Sequence, residues 1–177
     1  DLVIVGNPTN PTSVLHPAST LRSLVRPGRV VVIDEAFMDA IPGETESLSN
    51  EGISGLITVR SLTKTWAIPG VRAGYVVGDP EIVDDLAAQQ PPWSVSTPAA
   101  AAMIACAAPR ATDEASVIAD EITTDRAALV EALTGLGLEV AGDPAAPFVL
   151  VRVVQGTREA LRSKGFALRR GDTFPGL

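Results

Sequence analysis

Three short runs of mainly β-branched residues, at positions 2–5, 29–33 and 55–59, each give way at once to a polar, turn-forming segment. Runs so short and so apolar read as buried strands of a parallel sheet rather than half-exposed strands, which would alternate apolar and polar residues. Between the first two, a helix is expected from near Pro17 to Pro27-Gly28, with Leu21, Leu24 and Val25 at helical spacing. That makes a β-α-β unit with a right-handed crossover. In an open α/β sheet of this kind, the carboxyl ends of the strands line one crevice where side chains remote in sequence can meet one ligand.

Further along, residues 73–77 read as another strand, and Asp79-Pro80 opens a helix to about residue 88. Residues 99–108 are Ala-rich and expected to form a helix packed closely in the core. Thr112, followed by Asp113 and Glu114, is expected to cap a long helix ended by Gly135 and Gly137, with Ile118, Ile122, Leu129 and Leu133 on one face. A strand over 148–154, a helix over 157–164 and an Arg- and Gly-rich terminal stretch follow. The expected architecture is α/β, with residues 1–111 in one domain and residues 112–177 supplying a linking helix and a second, incomplete unit.

Composition excludes several classes. With 14 Lys plus Arg against 21 Asp plus Glu the net charge is −7, which argues against nucleic acid as a partner. One cysteine, Cys106, cannot build a disulfide framework or a cysteine metal site, so a reducing, cytoplasmic setting is expected, with Cys106 as a small buried side chain. Pro, Arg or Asp interrupts every apolar stretch before membrane-spanning length, so no membrane partner is expected.

Four segments at the strand ends carry chemistry: Asn7-Pro8-Thr9-Asn10-Pro11-Thr12, Asp34-Glu35-Ala36-Phe37, Ser61-Leu62-Thr63-Lys64 and Pro69-Gly70-Val71-Arg72. An amide, a carboxylate, hydroxyls, an amine and a guanidinium together match what pyridoxal phosphate requires. A lysine joins the carbonyl, a carboxylate keeps the pyridine nitrogen protonated, and hydroxyls with an arginine fork suit the phosphate. Each segment alone has a plainer reading: Asn-Pro makes turns, a strand-end Asp caps, and a lone Lys is a solvated charge.

In order, spacing and identity, these segments resemble the class I and II aminotransferases of fold type I over essentially the whole chain. The resemblance implies the later part of the large cofactor-binding domain, a mostly parallel sheet with flanking helices, plus part of an α+β small domain. It implies that Asn10 contacts the ring oxygen, Asp34 pairs with the pyridine nitrogen and Lys64 forms the Schiff base. Ser61, Thr63 and Arg72 would hold the phosphate.

Most members carry a tyrosine three residues after the aspartate; here the residue is Phe37. With Gln90-Pro91-Pro92-Trp93, this looks most like the threonine-phosphate decarboxylases of cobalamin biosynthesis, close relatives of the histidinol-phosphate aminotransferases. The expected reaction is therefore decarboxylation of L-threonine O-3-phosphate. The alternatives are a histidinol-phosphate-type transamination, or a non-catalytic fragment that associates with another chain. A small phosphorylated amino acid or amine is the expected substrate.

The glycine-turned helix and stacking aromatic of the family's first half have no counterpart here, and residues 171–177 hold no strand for the arginine that binds the substrate carboxylate. The chain alone is expected to be inactive, and to work as a homodimer or with a missing first half. Elsewhere, His16 is expected as a helix-boundary residue, Trp93 as a packing anchor, and Arg162, Lys164, Arg169 and Arg170 as a solvated face.

Overall fold

The structure, a computed structural model, describes residues 1–174. The three apolar runs form strands β1 (Leu2–Gly6), β2 (Val30–Asp34) and β3 (Leu56–Ser61), joined in that order and all parallel. A fourth strand, β4 (Gly74–Gly78), pairs with β3 antiparallel, so the sheet is mixed. Short helix α1 (Ala18–Arg22) supplies the crossover. It is shorter than the pattern suggests, but Leu24 and Val25 still pack against the core in the turns beyond it.

Alternation along the strands divides the sheet into two faces. One face carries Val31, Ile33 and Leu56, which bury themselves against Ala18, Leu21 and Leu48. The opposite face carries Leu2 paired with Val30 and Ile4 paired with Val32. On that face Leu2 is 63 % and Ile4 66 % exposed, and Val76 of β4 is exposed as well. Burial on both faces, expected from the apolar runs, therefore holds in part: Ile57, level with Val32 on this second face, is buried, whereas Leu2 and Ile4 on the outer strand are not.

Helix α2 (Pro80–Gln89) begins at Asp79, whose side chain accepts from Glu81 N at 2.9 Å, Gly55 N at 2.7 Å and Ser54 Oγ at 3.1 Å. The cap thus also ties the helix start to the turn before β3. Helix α3 (Thr97–Cys106) begins at Ser96, whose hydroxyl accepts from Ala99 N at 3.3 Å. Only Ala99 of this helix is buried, so it is not the core element its small residues suggested, and Cys106 is half-buried. Trp93 is 96 % exposed and anchors no packing among the described residues.

The long helix α4 (Pro109–Gly135) starts three residues before Thr112. Pro109 occupies the first turn, where its missing N–H costs nothing, and the Thr112 hydroxyl donates back to Ala108 O at 3.5 Å from inside the helix. Ile118, Ile122 and Leu133 lie on the half-buried face, while Leu129 is exposed. The helix packs across the turn Met38–Ala40 that follows β2.

Two residues of the expected strand over 148–154 pair: β6 (Val151–Arg152) runs antiparallel to β5 (Glu139–Val140). Ahead of it, Phe148 leaves the strand path to meet Phe37 edge-on, ring centroids 4.9 Å apart. Helix α5 (Thr157–Arg162) follows, and Arg162, Lys164, Arg169 and Arg170 are exposed as expected. The expectation for residues 171–177 falls partly on positions 175–177, outside the described residues.

One clasp joins distant parts of the chain. Ser13, fully buried and in the left-handed region at φ 64°, accepts from Ala145 N at 2.7 Å through its carbonyl and from Ala146 N at 2.8 Å through its hydroxyl. The same hydroxyl donates to Ala146 O at 3.3 Å. The turn carrying Asn10 is thereby fastened to the segment between β5 and β6.

Candidate active site

Parallel pairing brings the ends of β1, β2 and β3 to one edge, with Gly6 beside Asp34 and Asp34 beside Val59. Arg72 reaches the same edge by another route: β4 runs antiparallel, so its beginning lies there, with Gly74 opposite Ser61. Leu62 N donates to Ala73 O at 3.2 Å, which joins the turn of Ser61 and Lys64 to the residue after Arg72. Asn7 N donates to Asp34 O at 2.9 Å and joins the Asn10 turn to the end of β2.

Within the Asn-Pro segment the two asparagines have separate fates. Asn7 is fully buried; its amide donates to His16 O at 3.3 Å and Glu46 O at 3.4 Å and its oxygen accepts from His16 N at 2.7 Å. It is a structural residue. The His16 ring shares a hydrogen bond of 3.0 Å with Thr9 Oγ1, in keeping with a boundary role. Asn10 is exposed at the turn.

Asp34 is exposed at the end of β2, and its Oδ1 accepts from Ala36 N at 3.1 Å. Ser61 Oγ and Thr63 Oγ1 lie 2.8 Å apart, and Thr63 N donates to the same Ser61 hydroxyl at 3.3 Å, so these two of the six expected site residues are joined directly. Lys64 is exposed, its Nζ 5.4 Å from the centre of the Phe37 ring. Arg72 is exposed in the left-handed region at φ 60°, donating to Pro69 O at 3.0 Å.

Of the six, Lys64 lines a shallow cavity of about 190 Å³ together with Phe37, Ala40, Thr65, Ile122 and Pro147. A larger hollow of about 300 Å³ is lined by Arg158, Arg162, Ala167 and Leu168 and holds none of the six. Its Arg158 donates to Leu168 O at 3.2 Å and to Glu159 Oε1 at 3.4 Å.

Behind the edge sits a charged cluster that sequence reasoning missed. Arg60, buried next to Ser61, donates to Glu35 Oε2 at 3.2 Å, to both Glu44 oxygens at 2.7 Å, and to Asp39. Glu35 is fully buried and also accepts from Ser47 Oγ at 2.7 Å and Leu48 N at 2.8 Å. Burial pushes the Arg60 guanidinium down, but the hydrogen bonds and charges of Glu44 and Asp39 outweigh it and hold Arg60 above its usual value. Burial pushes the Asp39 carboxyl up, against the pull of Arg60. The signal that could have found this cluster is an arginine ending an apolar strand, together with Glu35, Asp39 and Glu44 in one short segment after another.

An exposed amine, a pair of hydroxyls, a guanidinium and an open carboxylate at one sheet edge fit a small phosphorylated cofactor with a reactive carbonyl.

Residues 1–175 match the profile described as aminotransferase class I and II. A histidinol-phosphate aminotransferase of Mycobacterium tuberculosis is 49 % identical over 179 residues, covering 100 % of this chain and 49 % of that relative. The crystal structure of the histidinol-phosphate aminotransferase from Clostridium acetobutylicum superposes with a TM-score of 0.87 at 30 % identity, covering 100 % of this chain and 56 % of that one. That of L-threonine-O-3-phosphate decarboxylase from Porphyromonas gingivalis gives 0.80 at 25 % identity, covering 100 % and 57 %. The chain spans about half the length of the curated relatives it matches.

Proposed function

Because the chain belongs to the class I and II aminotransferase family, we propose that it carries the lysine-bearing part of a pyridoxal-phosphate enzyme of the histidinol-phosphate aminotransferase type. The reading rests on Lys64, in the turn after β3 and beside the Phe37 ring, with Asp34 ending the neighbouring parallel strand. Residues 1–111 are assigned to the cofactor-binding part and 112–177 to the linking helix and smaller part.

When bound, the cofactor supplies an electron sink that weakens bonds at the amino carbon of a substrate. The rest falls to the chain. The Lys64 amine would hold the cofactor through its carbonyl and, once free, would carry the proton at that carbon. Asp34 keeps the proton on the ring nitrogen. Ser61 and Thr63 donate to the phosphate, and Arg72 meets it with its fork of donors. Asn10 donates its amide to the ring oxygen.

For the substrate, 49 % identity across the whole chain supports the histidinol-phosphate aminotransferase type over the decarboxylase that Phe37 had favoured. Phe37 already has packing partners in Phe148 and Lys64 and does not by itself mark a different reaction. The decarboxylase likeness keeps that second reading open to test. Full-length protein bearing this sequence is expected to turn over histidinol phosphate only with a 2-oxo acid present. Release of carbon dioxide from L-threonine O-3-phosphate, without oxo-acid-dependent turnover, would reverse the choice.

A further inference from the structure

The charged cluster behind the sheet edge has no part in the chemistry above, yet it touches the neighbours of three proposed site residues. Arg60 precedes Ser61, and Glu35 follows Asp34. Asp39 accepts from Arg60 through Oδ1, and its Oδ2 accepts from Thr65 Oγ1 at 3.4 Å. Thr65 follows Lys64 and lines the same cavity.

A cluster chosen for stability alone would be poorly composed. Three carboxylates face one guanidinium, and buried ion pairs are often no better than apolar packing of the same volume. What a guanidinium offers instead is a planar fork whose directions are fixed, which a flexible ammonium cannot copy. Here the fork grips only the turn after β2, while its own backbone belongs to β3.

We propose that Arg60 is a positioning residue: it staples the turn after Asp34 to the end of β3 and, through Asp39 and Thr65, fixes the direction in which Lys64 leaves the strand. The staple joins the two turns whose relative placement sets the gap between Asp34 and Lys64. It deepens the proposed function, on whose assignment of Lys64 it rests. An error of about 1 Å in such a gap is enough to cost roughly a hundredfold in rate.

The test uses full-length protein bearing this sequence, in three variants. Arg60→Lys keeps the charge and removes the fork, Thr65→Val removes only the hydroxyl to Asp39, and Thr65→Ser restores it. Amide hydrogen exchange over residues 35–47 and 61–72, and the rate at which an amine-acylating reagent labels Lys64, are read without cofactor. The turnover number and KM are read with it.

Arg60→Lys is expected to speed exchange in both turns while β1 is unchanged, and to shift Lys64 labelling. It is also expected to lower turnover about ten- to a hundredfold with KM nearly constant. Thr65→Val should reproduce the Lys64 and turnover effects, and Thr65→Ser should reverse them. Folded Arg60→Lys and Thr65→Val proteins with wild-type exchange over 61–72 and wild-type Lys64 labelling would overturn the inference. If pyridoxal phosphate fails to join Lys64 in the wild type, the functional reading falls, while exchange and labelling still decide whether the staple exists.

Discussion

An amide in place of the Asp34 carboxylate keeps the shape of the strand end, including the acceptor for Ala36 N, and loses the charge. Asp34→Asn in the full-length enzyme is therefore expected to retain cofactor on Lys64 and lose roughly a hundred- to a thousandfold in turnover, the scale of removing one preorganised electrostatic partner. Steady-state kinetics checks it, and near-normal turnover would remove Asp34 from the role proposed. Asp79 makes a second prediction, about acid. The Gly55 N–H, followed by Glu81 N and Ser54 Oγ, holds its carboxyl below the usual carboxylate range. A lowered folded value contributes stability that is present above the unfolded value, about 3.9, and is lost as pH falls through the lower folded one. Asp79→Asn should thus lower the thermal midpoint at neutral pH and narrow the gap to wild type in acid. A pH series of melting curves reads this directly, and a constant gap would argue against it. Arg60→Met would leave the fully buried Glu35 without its cation, at an expected loss of about 3–5 kcal/mol by denaturant titration.

At the level of elements, the three parallel strands were legible because short β-branched runs bounded by turn residues have few other readings. The sense of β4 was not, since residues 73–77 look alike whichever way the strand runs, and that sense is what carries Arg72 to the sheet edge. The start of α4 was misread at Thr112, a good cap by type, because Pro109 had already set the first turn. Arg60 was hidden by its place at the end of a strand, where a charge usually meets water; only the folded loop after β2 brings Glu35, Asp39 and Glu44 around it. Of the expected site, the shared edge could be read from strand ends, whereas the separate task of Asn7 could not, because it depends on His16 and Glu46 being folded against it. Gly78 gives this scale its prediction. It closes β4 at φ +144°, and an added Cβ would press on Leu56 O and lie 2.8 Å from Ile57 Cα, both of them backbone. Gly78→Ala should destabilise by at least about 1–3 kcal/mol, the usual range for a strained backbone position. Equilibrium unfolding measures it, and a neutral result would mean that β4 can shift along β3.

For the molecule as a whole, family and fold were readable from four short segments, while substrate was not, because the residues that marked the cofactor are common to enzymes of different reactions. The chain spans about half the length of the relatives it matches and keeps Leu2, Ile4 and Val76 exposed on one sheet face. Alone, the 177-residue chain is expected to hold pyridoxal phosphate weakly and to catalyse nothing, since each charge-assisted bond absent from the phosphate grip forgoes about 1.5–3 kcal/mol. Titration with the cofactor tests this; saturation at micromolar levels with one label per Lys64 would show that these residues suffice. The clasp of Ser13 on Ala145 and Ala146 matters on another axis, that of time. Its partners stand 133 residues apart. At about 5–20 residues per second, a ribosome needs roughly 7 to 27 s to supply the second half of the fastening. During that interval the Asn10 turn stands on a growing chain with the Ser13 hydroxyl open to water, so its finished shape waits on a segment made 133 residues later.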